Sequence, residues 1–464
     1  MFVVDDARKR ARGTSERDGE TVASSRGDGV AGRRADGDAR GASAGEARPR
    51  TRRALGREEN AFDAVLDAQD VFSHPPCAER DYLTHAETKL RVCAPYDFDF
   101  VCGVKARWAG ERLCAMFARE FPMRPIEYYR EAHRSGRLRL EENGRASVSA
   151  TAATSGETHE DGPILVAGQR VRHFIHRHEP PVLADDVRVL SVTDDVVAVC
   201  KPATVPVHPT GQYRRNTVLA LLAATRKDLG RLFPIHRLDK NVSGLLLLAR
   251  SPESANSMRQ KMEAREMRKE YVARVRGAFN RGETTTVSCE ASLGFDAKRR
   301  VALWHGKPDA GELDARSMNS FKEASTKFTW VRNLSDGTSI VRCEPLTGRS
   351  HQIRAHLAIL GHPIANDVAY GGEHSDSNRA AAIQHACDVM VLSDDRALVM
   401  DESLAVDYSI PRESREKSAM MCPHCPRIVH AGDLAIDLEA IWLHCSRYSG
   451  EGWEFECPHP DWAK

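Results

Sequence analysis

Long apolar runs, a surplus of one charge and a cysteine framework are all missing from this sequence of 464 residues, and aromatic side chains make up only 6% of it. The longest uncharged apolar stretches, such as Val218 to Thr225, fall far short of a membrane span, so a soluble chain with no membrane partner is expected. The opening Met1-Phe2-Val3-Val4 is too short for the apolar core of a secretory signal. A formal net charge of +1 argues against a wholly basic coat, so any polyanion must meet a local cluster. The twelve cysteines are scattered from Cys77 to Cys457, most of them singly and in apolar surroundings, as reduced thiols of an intracellular protein are.

What is present is unevenly spread. Residues 1–56 are almost all Arg, Asp, Glu, Gly, Ala and Ser, too poor in apolar surface to offset ordering entropy, and are expected to form a disordered tail. Their acidic members Asp5, Asp6, Glu16 and Asp18 count against an organellar transit peptide, which leaves a cytoplasmic or nuclear protein as the expectation and organellar targeting open. Between Arg226 and Arg276 thirteen Lys and Arg face six Asp and Glu, the sign of a surface that meets phosphate. A solvated helix face is the competing reading.

Helical spacing of Leu113, Met116 and Phe117 predicts a helix within 108–120, and a second follows over 126–134. Alternating Leu and Arg after Gly136 and a strand from Val166 to Val171 complete residues 79–180. Two helices and a short basic hairpin resemble the S4-like RNA-binding module; a plain helical cap on the next domain is the alternative. Pro180-Pro181 marks a boundary, beyond which β-rich runs (187–190, 196–200, 245–249, 271–275, 338–343) predict a mixed sheet. One helix is well signalled, with Ser251 as cap, Pro252 in the first turn and Ala255, Met258 and Met262 on one stripe. Another is expected from Ser350 to Leu360. Residues 373–420 read as a flexible insertion, and 421–464, rich in Cys and Trp, as a folded extension packed on the main domain.

The most informative run is His236-Arg237-Leu238-Asp239-Lys240-Asn241-Val242-Ser243-Gly244, which leads straight into the apolar Leu245–Ala249. A polar turn anchored by a buried strand holds Asp239 rigidly, as a catalytic carboxylate requires. Alone, such an aspartate is more often a structural turn residue. Three other segments weigh against that reading: Lys201 to Pro209 with Arg215-Asn216-Thr217-Val218 after it, Lys269-Glu270-Tyr271-Val272-Ala273-Arg274-Val275, and Pro345 to Leu357 followed by Gly361 to Asp367.

These four segments, in this order over residues 183–372, resemble the RluA-like family of RNA pseudouridine synthases, in its longer eukaryotic branch. The resemblance implies an α+β fold, a catalytic domain at 183–372 built on a mixed, mainly antiparallel β-sheet flanked by helices. It also implies an isomerase without metal or cofactor that turns uridines of RNA, tRNA favoured, into pseudouridine around Asp239. The alternative is an inactive RNA-binding protein of the same fold. Val242 stands where the family usually has Thr, a departure expected to loosen the turn slightly.

Roles follow from chemistry. The reaction breaks the bond from sugar to base nitrogen, turns the base, rejoins it through carbon 5 and removes the proton there; Asp239 serves as nucleophile on the sugar or as base, and the sequence leaves both open. Arg354, beside the expected core stripe Ile353, Leu357 and Leu360, is expected to pair with Asp239. Tyr271, on a strand face shared with Ala273 and Val275, can stack on the base, and the resemblance gives its hydroxyl the carbon 5 proton. Arg237 is suited to fill the stack vacated by a flipped base, and the resemblance adds His236, Asn216 and Arg349 as RNA-binding positions. Bland readings stand beside each: a surface arginine, a core tyrosine, a loop salt bridge.

A zinc deaminase is the rival enzyme, with His85-Ala86-Glu87 and Cys422-Pro423-His424-Cys425 as its fragments. They lie more than three hundred residues apart, and Met421 stands where a proline belongs. Cys422 and Cys425 have zinc-ligand spacing, with His430, His444, Cys445 and Cys457 as candidate completions, but no second pair is spaced to match, so a metal-free knuckle is favoured. A monomer is expected.

Overall fold

The computed structural model describes residues 77–464 apart from 86–87, 122–123, 143–144, 147–158, 280–284, 297–298, 307–320 and 374–437. The expected tail at 1–56, all but one residue of the expected insertion at 373–420, and Cys422, Cys425 and His430 lie outside the described residues.

The first part forms two small sheets. Strands β1 (Tyr82–His85), β2 (Leu90–Cys93) and β7 (Val182–Leu183) make one; β3 (Tyr96–Gly103), β6 (Arg170–Arg177), β4 (Leu138–Glu142) and β5 (Arg145–Ala146) make the other, in that spatial order. Helices α1 (Leu113–Glu120) and α2 (Ile126–Arg134) bury Leu113, Met116, Phe117 and Tyr129 with Leu138, Leu140 and Val171 of the second sheet. The strand expected from Val166 begins only at Arg170, because Gln169 Oε1 accepts the Val166 N–H at 2.8 Å and closes a turn there.

The main sheet has the spatial order β13 (Thr286–Glu290), β16 (Ser325–Asn333), β17 (Thr338–Pro345), β12 (Arg268–Arg276), β18 (Leu443–Gly450), β11 (Ser243–Ala249), β9 (Val196–Lys201), β8 (Arg188–Val192). Short β10 (Phe233–Pro234) pairs with β11 and β19 (Trp453–Glu456) with β18, while β14 (Gly294–Asp296) and β15 (Val301–Leu303) form a separate hairpin. Every pairing is antiparallel except β11 with β18. The sheet is therefore mixed and mainly antiparallel. Leu245 to Ala249 are fully buried, which explains why β11 reads as an unbroken apolar run rather than an alternating one.

Three helices pack beside it: α3 (Val218–Thr225), α4 (Pro252–Glu263) and α5 (Gln352–Ile359). The Ser251 hydroxyl accepts the Ser254 N–H at 3.0 Å, the expected cap of α4. The region read as an extension behaves differently: β18 lies between β11 and β12 at the centre of the sheet. Its mixed Leu-His-Cys-Ser composition hides a buried strand. Gly244 makes room for it, since a Cβ there, at φ +115°, would lie 2.2 Å from the Cys445 carbonyl oxygen.

The Pro180-Pro181 boundary is a pinned joint. Glu179, buried, accepts the N–H groups of Arg215 at 2.7 Å and Asn216 at 2.8 Å and the Tyr96 hydroxyl, and Asn216 donates its side-chain amide to Pro180 O at 3.1 Å.

Candidate active site

A cleft of about 830 Å³ opens where the turn after β10, strand β12 and the start of α5 converge, and Arg237, Asp239, Tyr271, Arg349 and Arg354 all line it. The turn is fixed from below. Lys201 is fully buried and donates from Nζ to the carbonyls of Pro202 at 2.8 Å, Val205 at 2.7 Å and Lys240 at 3.0 Å. Burial draws the Lys201 ammonium down to about 7, against the opposing pull of Asp239. Val242 joins the apolar cluster of Ala273, Ile353 and Leu443, so an aliphatic side chain anchors the turn where a looser one was expected.

Asp239 itself keeps only long ionic neighbours. Its Oδ2 lies 3.8 Å from Arg354 Nη1 and 3.7 Å from His351 Nε2. Arg354 is brought to Asp239 as the sequence implied, but its bidentate partner is another carboxylate: Nε and Nη2 donate to Asp367 at 2.6 and 2.8 Å, both residues being buried. Burial works against the Arg354 charge, yet the Asp367 hydrogen bonds and the charges of Asp367 and Asp239 raise its pKa overall. The sequence reading quoted Asp367 in the last segment without giving it this role; a carboxylate thirteen residues after an arginine on a helix carries no local signal.

His351, in the left-handed region at φ 56° ahead of α5, was missed as well. The Tyr370 hydroxyl accepts the Ala302 N–H at 2.6 Å and lies 2.8 Å from His351 Nδ1. Burial holds the His351 imidazole down to about 4, more strongly than Asp239 raises it.

The remaining expected residues separate into two groups. Arg237 and Arg349 are exposed at the cleft, where phosphate can reach them. Tyr271 is half-buried on β12, and burial, with Cys445 and Tyr448 beside it, pushes its phenol well above the ordinary value. Asn216 corrects the expectation of RNA contact. Asn216 is buried at the Glu179 joint, away from the cleft. His236 is buried, with Nε2 accepting the Leu247 N–H at 3.2 Å and Nδ1 3.3 Å from the Tyr448 hydroxyl. Asn216 braces the joint, whereas His236, though buried, lines the cleft. Among the described residues no group of three or more His, Cys, Asp or Glu could hold a metal; His444, Cys445 and Cys457 are buried in the sheet region.

A family model described as RNA pseudouridylate synthase matches residues 195–359. RNA pseudouridine synthase 7 of Arabidopsis thaliana is 40% identical over 404 residues, spanning 86% of this chain and 92% of that protein. The chain belongs to the RluA-like family of RNA pseudouridine synthases. It is an isomerase acting on RNA. Two relatives from Saccharomyces cerevisiae match this synthase along most of its length: tRNA pseudouridine(31) synthase is 29% identical, over 82% of this chain and 97% of that protein. The other, tRNA pseudouridine(32) synthase, mitochondrial, is 33% identical, over 82% of this chain and 79% of that protein. No helix among the described residues is long and apolar enough to cross a membrane.

Proposed function

We propose that Asp239 is the catalytic carboxylate and that Arg354, Tyr271 and Arg237 serve it in distinct ways. The observation that carries this reading is that Asp239, in the cleft, has no close ionic partner, whereas Asp367 satisfies Arg354. A carboxylate left open at a rigid turn is ready to act on the ribose of a bound uridine. Arg354 keeps positive potential beside it without closing it off. Tyr271 stacks on the base and takes part in removing the carbon 5 proton. Arg237, exposed next to Asp239, fills the stack that the flipped base leaves, and Arg349 meets phosphate.

The substrate we propose is tRNA, supported by the two yeast relatives named for it. Helices α1 and α2 with the β3-β6-β4-β5 sheet act as an S4-like RNA-binding module. Tritium release from RNA labelled at carbon 5 of uridine tests the chemistry: release by the full chain and none by Asp239→Asn is the expected result, and release by the variant overturns the role of Asp239. Mapping pseudouridine in tRNA from cells lacking the protein tests the substrate.

A further inference from the structure

Tyr448 lies outside the family match at 195–359, on the central strand supplied from beyond residue 437, yet it lines the same cleft as Asp239 and Tyr271. A break in register brings it there. Between Glu270 and Tyr271 the β12–β18 pairing shifts, with Glu270 opposite Arg447 and Tyr271 opposite Cys445, so Ser446 is the extra residue of a bulge. Its hydroxyl donates to Glu270 O at 3.1 Å. In a regular strand residues three apart face opposite ways; across this bulge Cys445 and Tyr448 both enter the cluster against which Tyr271 packs.

The hydrogen-bond direction at Tyr448 is set by its other neighbour. His236 Nε2 accepts the Leu247 N–H, so the neutral ring carries its proton on Nδ1, and that nitrogen, 3.3 Å from the Tyr448 hydroxyl, is the donor. Tyr448 therefore receives from His236 and has its own proton to give, with Tyr271 and Cys445 as its neighbours in the cluster. The rings of His236 and Tyr448, 4.7 Å apart at 33°, pack against each other and restrain the pair.

We propose that Tyr448, oriented by His236, is a positioning residue for the reaction: it donates a hydrogen bond to the Tyr271 hydroxyl and fixes the direction in which that hydroxyl meets carbon 5 of the flipped uracil. This rests on the role proposed for Tyr271. The arrangement makes the step at carbon 5, and not RNA binding or cleavage of the sugar bond, depend on a residue of β18.

The test compares Tyr448→Phe, Tyr271→Phe and wild type on RNA carrying protium or deuterium at carbon 5 of the target uridine. For Tyr448→Phe the expected result is a KM near wild type, a kcat lower by about tenfold, as for the loss of one hydrogen bond, and a larger deuterium isotope effect on kcat. A variant that is merely less stable loses active enzyme without changing that isotope effect, and such a result overturns the proposal. His236→Asn, which keeps an amide donor near the Nδ1 position, is expected to stay closer to wild type in isotope effect than His236→Leu; equal values overturn it independently if Tyr448→Phe does not fold. Inactive Tyr271→Phe beside unaffected Tyr448→Phe rejects the positioning role alone. Full turnover by Tyr271→Phe rejects the reading of Tyr271 and this proposal together.

Discussion

Glu179 and Asp239 are both carboxylates set against apolar clusters, one at the joint between the first part of the chain and the main sheet, the other in the cleft. Glu179 is saturated, with two backbone N–H groups and a tyrosine hydroxyl donating to it. Asp239 is held in place through its backbone turn, while its carboxylate meets only groups 3.7 and 3.8 Å away. The lesson is that rigidity and availability are supplied by different atoms of the turn. Lys201 and Val242 fix the main chain, and the side chain is left to the substrate.

Asparagine at position 239 and glutamine at position 179 should therefore fail in opposite ways. Asp239→Asn is expected to lower turnover by at least about a hundredfold, the lower end of what a placed acid-base group contributes. Because Arg354 keeps Asp367, its stability in urea should stay within about 1 kcal/mol of wild type. Asp367→Asn sharpens the contrast, since it strands a buried guanidinium: a loss on the order of 3 kcal/mol is expected in the same urea titration. Glu179→Gln, which sets an amide NH₂ against N–H donors, should lose about 2 kcal/mol with turnover per folded molecule unchanged. A large fall in that turnover would show that the joint shapes the cleft.

The comparison extends to histidine. Burial, aided by the charge of Lys269, holds His236 down to about 3. Below the ordinary histidine value of about 6.5 the unfolded chain takes up a proton that the folded chain refuses, so stability falls with pH through this window and the loss is complete only near the folded value. Between pH 7 and pH 5 this one ring should contribute a loss of about 2 kcal/mol, read as the difference in urea midpoint between wild type and His236→Asn. The smallest effect is expected at the exposed Arg237: Arg237→Ala should slow turnover of structured RNA by several fold, about what loss of one stacked or charged contact costs. RNA with the target uridine already unpaired should be partly rescued, and equal losses on both would assign Arg237 to the loop.

Much of this site could be read from the sequence because its parts are local. The Asp239 turn precedes an apolar strand, Ser251 and Pro252 announce α4, and the stripe of Ile353 and Leu357 fixes which side Arg354 takes. What escaped depends on contacts between distant segments. Asp367 and His351 gain meaning only when the chain returns over α5, and nothing in Leu443 to Gly450 says that it enters between β11 and β12. Asn216 was misplaced for a related reason: a polar side chain in a functional motif looks the same whether it meets solvent or a buried N–H.

The central position of β18 also has a consequence for how the enzyme is made. Ser243 and His444, hydrogen-bonded at 2.9 Å, are 201 residues apart in the chain. Until residues 443–450 leave the ribosome, β11 and β12 have no strand between them and present open edges of the kind that attract other chains. Closing so distant a pairing is slow by nature. A nascent chain stalled after residue 367 but before residue 443 already holds Asp239, Tyr271, Arg354 and Asp367, and is still a client for chaperones instead of an enzyme.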